Sequence, residues 1–453
     1  LSSRPVTLEY QKGTIVVKGL DSLPYAKFDS RTNYLYSHGI NYKEITQYLN
    51  EKNIKYEDKV LDLLALGHLP KLEVKLRDYQ QEAIENWCLE KRGSIVLPTG
   101  AGKTIIGLKI IEIVNSPTLI IVPTLDLIKQ WTKILSHNFD IEIGNIGGGT
   151  ENIQPITVST YDSAYIKAQS IGNKFMLMVF DEVHHLPAPS YRLIAETFVA
   201  PFRLGLTATI EREDHLEEDF PYLVGKSRFQ ITAKELAESN YLAKYTIERK
   251  QTFMSAEEYR KYKENMAIYH AGLKKIGLKM NSHNAFKRLI MISSKNIMAR
   301  RALMGRNKAI DIALNSKSKM NEIRKILVEN KDIKTIIFTQ HNKLVYEISN
   351  VFLIPFITHK SSKEEREDVL TGFKDGRYKA IVTSKVLDEG IDVPDAQLGI
   401  LVSGTGSSRE FIQRLGRLLR PKYDNKQAIL IEIVSSGTSE ALTSKRRHRN
   451  IRK

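Results

Sequence analysis

The chain has 453 residues, 42% of them apolar and 26% charged, enough at roughly 100 to 200 residues per domain for two to four cores and too apolar for disorder throughout. Its longest apolar stretches, such as 118–122 and 336–338, fall short of the roughly 18 residues a membrane span needs. No charged-then-apolar leader is visible, and the lone Cys88 excludes an internal disulfide or cysteine zinc cluster, so a soluble, non-secreted protein of a reducing compartment is expected.

Lys and Arg number 68 against 52 Asp and Glu. Residues 255–315 hold 13 basic side chains against 4 acidic, and 444–453 hold 6 against none. Such clustering fits a polyanionic partner, most often nucleic acid, with a solvated helix face plus a disordered tail as the alternative.

In chain order, residues 1–57 alternate in short runs, as in Gly13-Thr14-Ile15-Val16-Val17-Lys18, and predict a small α+β domain with a helix over 42–51. From about residue 76 the pattern becomes strand, loop, helix, repeated. The β-rich runs 94–97, 118–122, 156–159, 177–180 and 203–207 predict a parallel sheet covered on both faces, within a domain over 58–225. Residues 255–315 carry no strand pattern and predict helices rich in Lys, Arg and Met, inserted near the start of a second α/β domain over 226–440. That domain's strands are expected at 335–339, 352–357, 380–383, 399–402 and 428–433, and a basic tail at 441–453.

Leu97-Pro98-Thr99-Gly100-Ala101-Gly102-Lys103-Thr104 follows a β-run and opens a helical pattern, the context of a phosphate-binding loop. Glycines admit phosphate close to the backbone, and successive N–H groups with the helix N-terminus form its nest. Lys103 is expected on the β- and γ-phosphates and the Thr104 hydroxyl on magnesium. The first position of the strict pattern is Leu97 rather than glycine. Downstream, the apolar run 177–180 ends in Asp181-Glu182-Val183-His184, an acid pair at a strand tip. Asp181 is expected to hold magnesium, and Glu182 to orient and deprotonate the attacking water.

Asp181-Glu182-Val183-His184, Leu206-Thr207-Ala208-Thr209 and Gln413-Arg414-Leu415-Gly416-Arg417-Leu418-Leu419-Arg420 resemble motifs II, III and VI of superfamily 2 helicases, in the right order. Arg77-Asp78-Tyr79-Gln80 resembles the adenine-reading Q motif, Val122-Pro123-Thr124-Leu125 motif Ia, and Ser159-Thr160-Tyr161 the strand-contacting motif after it. Ile336-Ile337-Phe338-Thr339 resembles motif IV, and Asp388-Glu389-Gly390-Ile391-Asp392-Val393-Pro394 motif V. Arg212-Glu213-Asp214, directly after motif III, resembles the charged element of XPB-type DNA repair helicases. The N-terminal domain is similar to their damage-recognition domain and the basic insertion to their thumb, with the archaeal branch the best match.

The resemblance implies an α/β fold of two tandem RecA-like motor domains with a small N-terminal α+β domain and a helical basic thumb. It implies an ATP- and magnesium-dependent DNA helicase or duplex translocase, moving three-prime to five-prime, in nucleotide excision repair or promoter-type opening. Gln80 would contact the base edge, and Arg77, Thr99, Gly100, Ala101, Gly102, Lys103, Thr104, Gly390 and Asp392 would line the nucleotide. Arg417 and Arg420, three apart on a predicted helix, would act as arginine fingers, with Gln413 placing water or the γ-phosphate. His184 would couple motif II to motif VI, and Thr207 and Thr209 the nucleotide state to strand grip.

Pro123, Thr124, Thr160 and Thr339 would lie along a strand's phosphates. Arg212, Glu213, Asp214 and the insertion's Lys274, Lys275, Lys287, Arg288, Arg300 and Arg301 are further candidates for DNA. Trp131 and Tyr161 read as core aromatics, with base stacking as the alternative, and Met266, Met280, Met291 and Met298 as packing or partner-facing. Expected partners are fork, bubble or damaged DNA and a repair nuclease or a transcription and repair complex, with no membrane. The expected location is the cytoplasm and nucleoid of an archaeon, or the nucleus of a eukaryote. An RNA helicase, a non-catalytic scaffold and a restriction-type translocase subunit are the rival readings.

Overall fold

The computed structural model of the chain describes residues 5–210, 214, 216–239, 241–242, 244–280, 283–384, 396–402, 428–441 and 444–445. Two compact units divide it, the first spanning Leu1–Leu236 and the second the described residues from Ala237 onward.

The first unit opens with β1 (Val6–Gln11), β2 (Thr14–Lys18), β3 (Lys27–Asp29), β4 (Tyr34–His38), α1 (Tyr42–Glu51) and β5 (Tyr56–Lys59) in a sheet of order β3-β4-β2-β1-β5. Alternation sends Val6 and Leu8 of β1 inward, and α1 buries Tyr42, Ile45 and Leu49, three and four residues apart on one face. This core also takes in Val199, from far along the chain, while Ile40, in the single helical turn Gly39–Asn41 after β4, joins the larger core that follows.

The larger part of the unit follows, with α2 (Asp78–Cys88), β6 (Arg92–Val96), α3 (Lys103–Val114), β7 (Thr118–Val122), α4 (Leu125–Phe139), β8 (Gly144–Gly147), β9 (Thr150–Asn152), β10 (Ile156–Thr160), α5 (Tyr161–Ile171), β11 (Leu177–Asp181), α6 (Pro189–Thr197), β12 (Phe202–Thr207), α7 (Phe220–Leu223), β13 (Ser227–Gln230) and α8 (Ala233–Glu238). The sheet order is β13-β6-β12-β11-β7-β10-β8-β9, parallel except for β9. Every residue of β7, β10 and β11 is buried, which is why β7 and β11 are near-continuous apolar runs in the sequence, while β10 also buries Thr157, Ser159 and Thr160.

The second unit contains β14 (Tyr245–Thr252), α9 (Ala256–Lys275), α10 (His283–Ser293), α11 (Ile297–Leu314), α12 (Lys317–Glu329), β15 (Thr335–Phe338), α13 (Asn342–Phe352), β16 (Phe356–Ile357), α14 (Lys363–Lys374), β17 (Ala380–Thr383), β18 (Leu398–Leu401) and β19 (Ala428–Ser435). Its parallel sheet has the order β14-β19-β18-β15-β17-β16. The basic insertion is the helical group α9, α10 and α11. Ser255 starts α9 with a capping box, its hydroxyl accepting from Glu258 N while Glu258 accepts from Ser255 N.

Three expectations change. The boundary at 225/226 falls too early: β13 hydrogen-bonds to β6 and belongs to the first sheet, because the chain turns back through Gly225, whose φ of +118° is open to glycine. The strand expected over 352–357 is mostly helix end and turn. Leu344, Val345 and Ile348 are buried on α13, which runs to Phe352, Leu353 turns left-handed, and only Phe356–Ile357 pairs. The edge strands β9, β13 and β14, and β8 next to β9, were not expected.

Candidate active site

In a parallel sheet, ligands gather at the carboxyl ends of the strands. Here β6, β12 and β11, adjacent in the sheet, deliver the glycine loop, Thr207 and Asp181 to that end. The loop turns through Gly100 and Gly102, at φ +84° and +83°, a backbone that disfavours any side chain. Gly102 is required twice, since a Cβ there would come within 2.4 Å of Gln80 Nε2. The Ala101 carbonyl accepts from Tyr79 Oη at 2.8 Å and from Gln80 Nε2 at 3.1 Å. Because a trans peptide points its N–H opposite to its C=O, this anchoring turns the Gly102 N–H away from α2 and toward the space where a phosphate nest forms. Lys103 Nζ rests on the Leu97 carbonyl at 3.2 Å.

Gln80 is thus placed differently from expectation. It is 2% exposed, its Oε1 accepts from Arg77 N at 3.0 Å, and its amide braces the loop rather than reaching a base edge. Tyr79, which shares this task and accepts from Arg77 Nη1 at 3.1 Å, was missed. A buried hydroxyl that holds a loop carbonyl has no sequence spacing of its own.

β11 ends on Asp181, 8% exposed. Its Oδ2 accepts from Trp131 Nε1 at 2.9 Å and its Oδ1 from Glu182 N at 3.0 Å. Burial, and then the neighbouring Glu182 charge, push this carboxyl up to about 6, against the Trp131 hydrogen bond and the Lys103 charge. Glu182 itself is left-handed at φ +49°, an uncommon backbone for a residue with a side chain, at the position assigned to the general base.

His184 is fully buried, with Nδ1 3.1 Å from Thr207 Oγ1 and 3.3 Å from Glu182 Oε2. The Thr207 hydroxyl donates to the Thr209 carbonyl at 2.8 Å and accepts from Thr209 N at 3.2 Å. Having given its proton to Thr209, it must accept from His184, which places the histidine proton on Nδ1. Among the described residues, His184 therefore joins motif II to motif III. Its expected link to motif VI lies outside them, as do Gly390, Asp392, Gln413, Arg417 and Arg420.

The residues present suit magnesium. Thr104 and Asp181 offer hard oxygen donors, and the buried Asp181 beside Glu182 favours a cation. Among the described residues no three His, Cys, Asp or Glu side chains converge.

Of the candidate strand contacts, Thr124 and Thr160 have hydroxyls that cap helices: Thr124 Oγ1 accepts from Leu127 N at 3.3 Å and Thr160 Oγ1 from Ser163 N at 3.1 Å. Pro123 is half-buried beside Thr124. Thr339 is fully buried at the end of β15, because its strand continues the sheet interior, and this corrects the expectation that it lies on a phosphate backbone. Arg212 and Glu213 lie outside the described residues, and Asp214 is exposed. Lys274, Lys275, Lys287, Arg288 and Arg301 are exposed on the insertion. Arg300 is exposed as well and donates to the Ser293 and Ser294 carbonyls at the end of α10, at 3.2 and 3.0 Å. Trp131 and Tyr161 are buried, as core aromatics should be.

Three family descriptions match the chain: the damage recognition domain of xeroderma pigmentosum group B helicase over residues 8–60, the res subunit of type III restriction enzymes over 73–212, and the helicase conserved C-terminal domain over 318–422. The chain is 45% identical to the DNA 3′-5′ translocase XPB2 of Sulfurisphaera tokodaii, covering 98% of this chain and 99% of that one. It is 31% identical to the putative DNA 3′-5′ helicase Rad25 of Haloarcula marismortui, over 84% of this chain and 55% of the relative. The transcription and DNA repair factor IIH subunit XPB/SSL2 of Saccharomyces cerevisiae is 25% identical over 90% of this chain and 46% of its own length. The Hef helicase domain of Pyrococcus furiosus shares the fold, with a TM-score of 0.54 and 19% identity over 82% of this chain and 97% of that one.

Proposed function

The chain belongs to the XPB-type branch of superfamily 2 helicases, and from that membership we propose that it is an ATP-driven DNA translocase and helicase moving 3′ to 5′, as its similar relatives are named. The observation that carries the reading is the gathering of Lys103, Asp181, Glu182 and Thr207 at the ends of adjacent strands, with the loop peptide held open for phosphate by Tyr79 and Gln80.

In the proposed reaction the glycine loop binds the phosphates and Lys103 neutralises them. Thr104 and Asp181 hold magnesium, which supplies charge compensation on the phosphate oxygens when bound. Glu182 takes the proton of the attacking water, and His184, whose Nδ1 lies 3.3 Å from Glu182 Oε2, ties this strand tip to Thr207. Arg417, Arg420 and Gln413 act on the γ-phosphate, and Gly390 and Asp392 line the nucleotide. The small N-terminal domain and the basic helices α9 to α11 engage DNA in repair or promoter-type opening. The yeast relative is named as a subunit of a transcription and repair factor; for this chain, a repair nuclease or such a complex is the proposed partner. No helix among the described residues is long and apolar enough to cross a membrane.

The relatives' names speak for DNA over RNA. The test is steady-state ATP hydrolysis without nucleic acid and with single-stranded DNA, forked duplex or matched RNA. DNA is expected to stimulate turnover more than RNA, and Lys103→Ala to abolish it. Equal stimulation by RNA would move the assignment to an RNA motor, and absence of turnover under every condition would leave a scaffold.

A further inference from the structure

The chain has two tryptophans, and both are fully or almost fully buried with their indole N–H donating. Trp87 donates to a main-chain carbonyl, that of Arg203, at 3.0 Å. Trp131 donates to a carboxylate, Asp181 Oδ2, at 2.9 Å. A buried indole needs an acceptor, but a carbonyl would serve. The choice of an acid at the end of β11 gives that hydrogen bond a consequence beyond satisfaction of a donor.

The ring is fixed by its surroundings. Trp131 is 1% exposed on α4 and passes so close to α3 that a Cβ on Gly107 would lie 2.8 Å from its Cη2. It therefore spans from the helix that follows the phosphate loop to the acid at the neighbouring strand tip. The Asp181 carboxylate receives two donors, Trp131 Nε1 on Oδ2 and Glu182 N on Oδ1, which together fix its plane. The main chain of the same residue is held by α5, whose first residue, Tyr161, donates its hydroxyl to the Asp181 carbonyl at 3.1 Å.

We propose that Trp131 is a positioning residue for the magnesium ligand: its indole N–H sets the orientation of the Asp181 carboxylate, while Tyr161 sets the main chain that carries it. This rests on the reading of Asp181 as a metal ligand. Groups that orient a ligand from outside the coordination sphere matter to metal affinity by about tenfold to a hundredfold. The two aromatics also tie Asp181 to α4 and α5, the helices capped by Thr124 and Thr160. A shift of either helix reaches the ligand through one hydrogen bond.

The experiment uses the full chain and manganese(II) as a paramagnetic probe. Binding of Mn²⁺ in the presence of ADP is measured by electron paramagnetic resonance, and binding of ADP alone is measured in EDTA. In Trp131→Phe the Mn²⁺ dissociation constant is expected to rise about tenfold, with ADP affinity in EDTA within about twofold. Tyr161→Phe, which removes one oxygen, is expected to weaken Mn²⁺ several-fold and supplies the same reading should Trp131→Phe fail to fold.

Mn²⁺ affinity unchanged within about twofold in the folded Trp131→Phe protein overturns the proposal. So does an equal loss of ADP affinity in EDTA, which marks a merely structural role. Asp181→Asn separates the two layers: if it binds Mn²⁺ as the unmodified protein does, the metal-ligand reading itself fails, and the proposal with it.

Discussion

Asp181 shows at the scale of one residue how catalysis and stability pull apart. Its carboxyl lies above its ordinary 3.8, at about 6, because burial and the Glu182 charge favour the neutral acid. A raised carboxyl adds stability that is fully present below its unfolded pKa and lost as pH rises through the folded one, here between about pH 4 and 6. At pH 8 without metal, the protein therefore holds a buried anion beside another acid. Asp181→Asn keeps the shape and removes that charge. In EDTA, calorimetry is expected to show the variant melting above the unmodified protein at pH 8, with the gap narrowing as pH falls toward 4, while ATP hydrolysis is lost at every pH. A lower melting temperature for the variant at pH 8 would mean that the Trp131 and Glu182 hydrogen bonds outweigh the charge. Such strain, stored where function needs it, is common at active sites.

Elements inherit their legibility from burial. β7, β11 and β17 were readable because strands inside a parallel sheet must be apolar along most of their length, and β10 because Ile156, Thr157, Val158 and Thr160 are β-branched. Ser227–Gln230 and Tyr245–Thr252 lie at sheet edges, where charged and polar residues are tolerated, so their pattern dissolves. Around 352–357 an unbroken apolar run concealed a helix end. The site's glycines and acids were legible because phosphate and magnesium dictate residue type. The tasks of Tyr79, Gln80 and Trp131 were not, since a side chain that braces a loop needs only to arrive there in three dimensions. The same holds for the seam between α9 and α11, where Gly272 and Ala302 stand so close that a Cβ on Gly272 would lie 2.6 Å from that of Ala302. At Gly305 a Cβ would come within 2.9 Å of the Asn265 carbonyl on the facing helix. Gly305→Val is expected to force the pair apart and cost about 1 to 3 kcal/mol, measured as a lower urea midpoint. An unchanged midpoint would show that the seam can open freely.

Across the first unit, the small N-terminal sheet is built into the motor fold rather than hung from it. Val199 completes the small core and Ile40 enters the large one. Gly39 approaches so closely that a Cβ would lie 2.2 Å from the Thr197 carbonyl, and Tyr10 Oη donates to the Ala168 carbonyl at 3.3 Å. Polar ties surround this contact: Arg92 to Glu44 at 2.8 Å, Lys174 to Asp62 at 2.8 Å, and Asn173 Nδ2 to the Val60 carbonyl at 2.9 Å. The ion pairs add little singly where they are exposed, and the interdigitated apolar groups carry most of the attachment. A sensor of distorted DNA in this sheet would then report to the nucleotide site without a hinge, because both belong to one packed body. Calorimetry of fragment 1–236 is expected to give a single melting transition. Fragment 61–236, which loses Ile40 and exposes Val199 and Thr197, should melt several degrees lower and bind a hydrophobic dye before it melts. Two separate transitions in 1–236, or an unchanged melting temperature in 61–236, would instead describe a tethered module that moves independently of the motor.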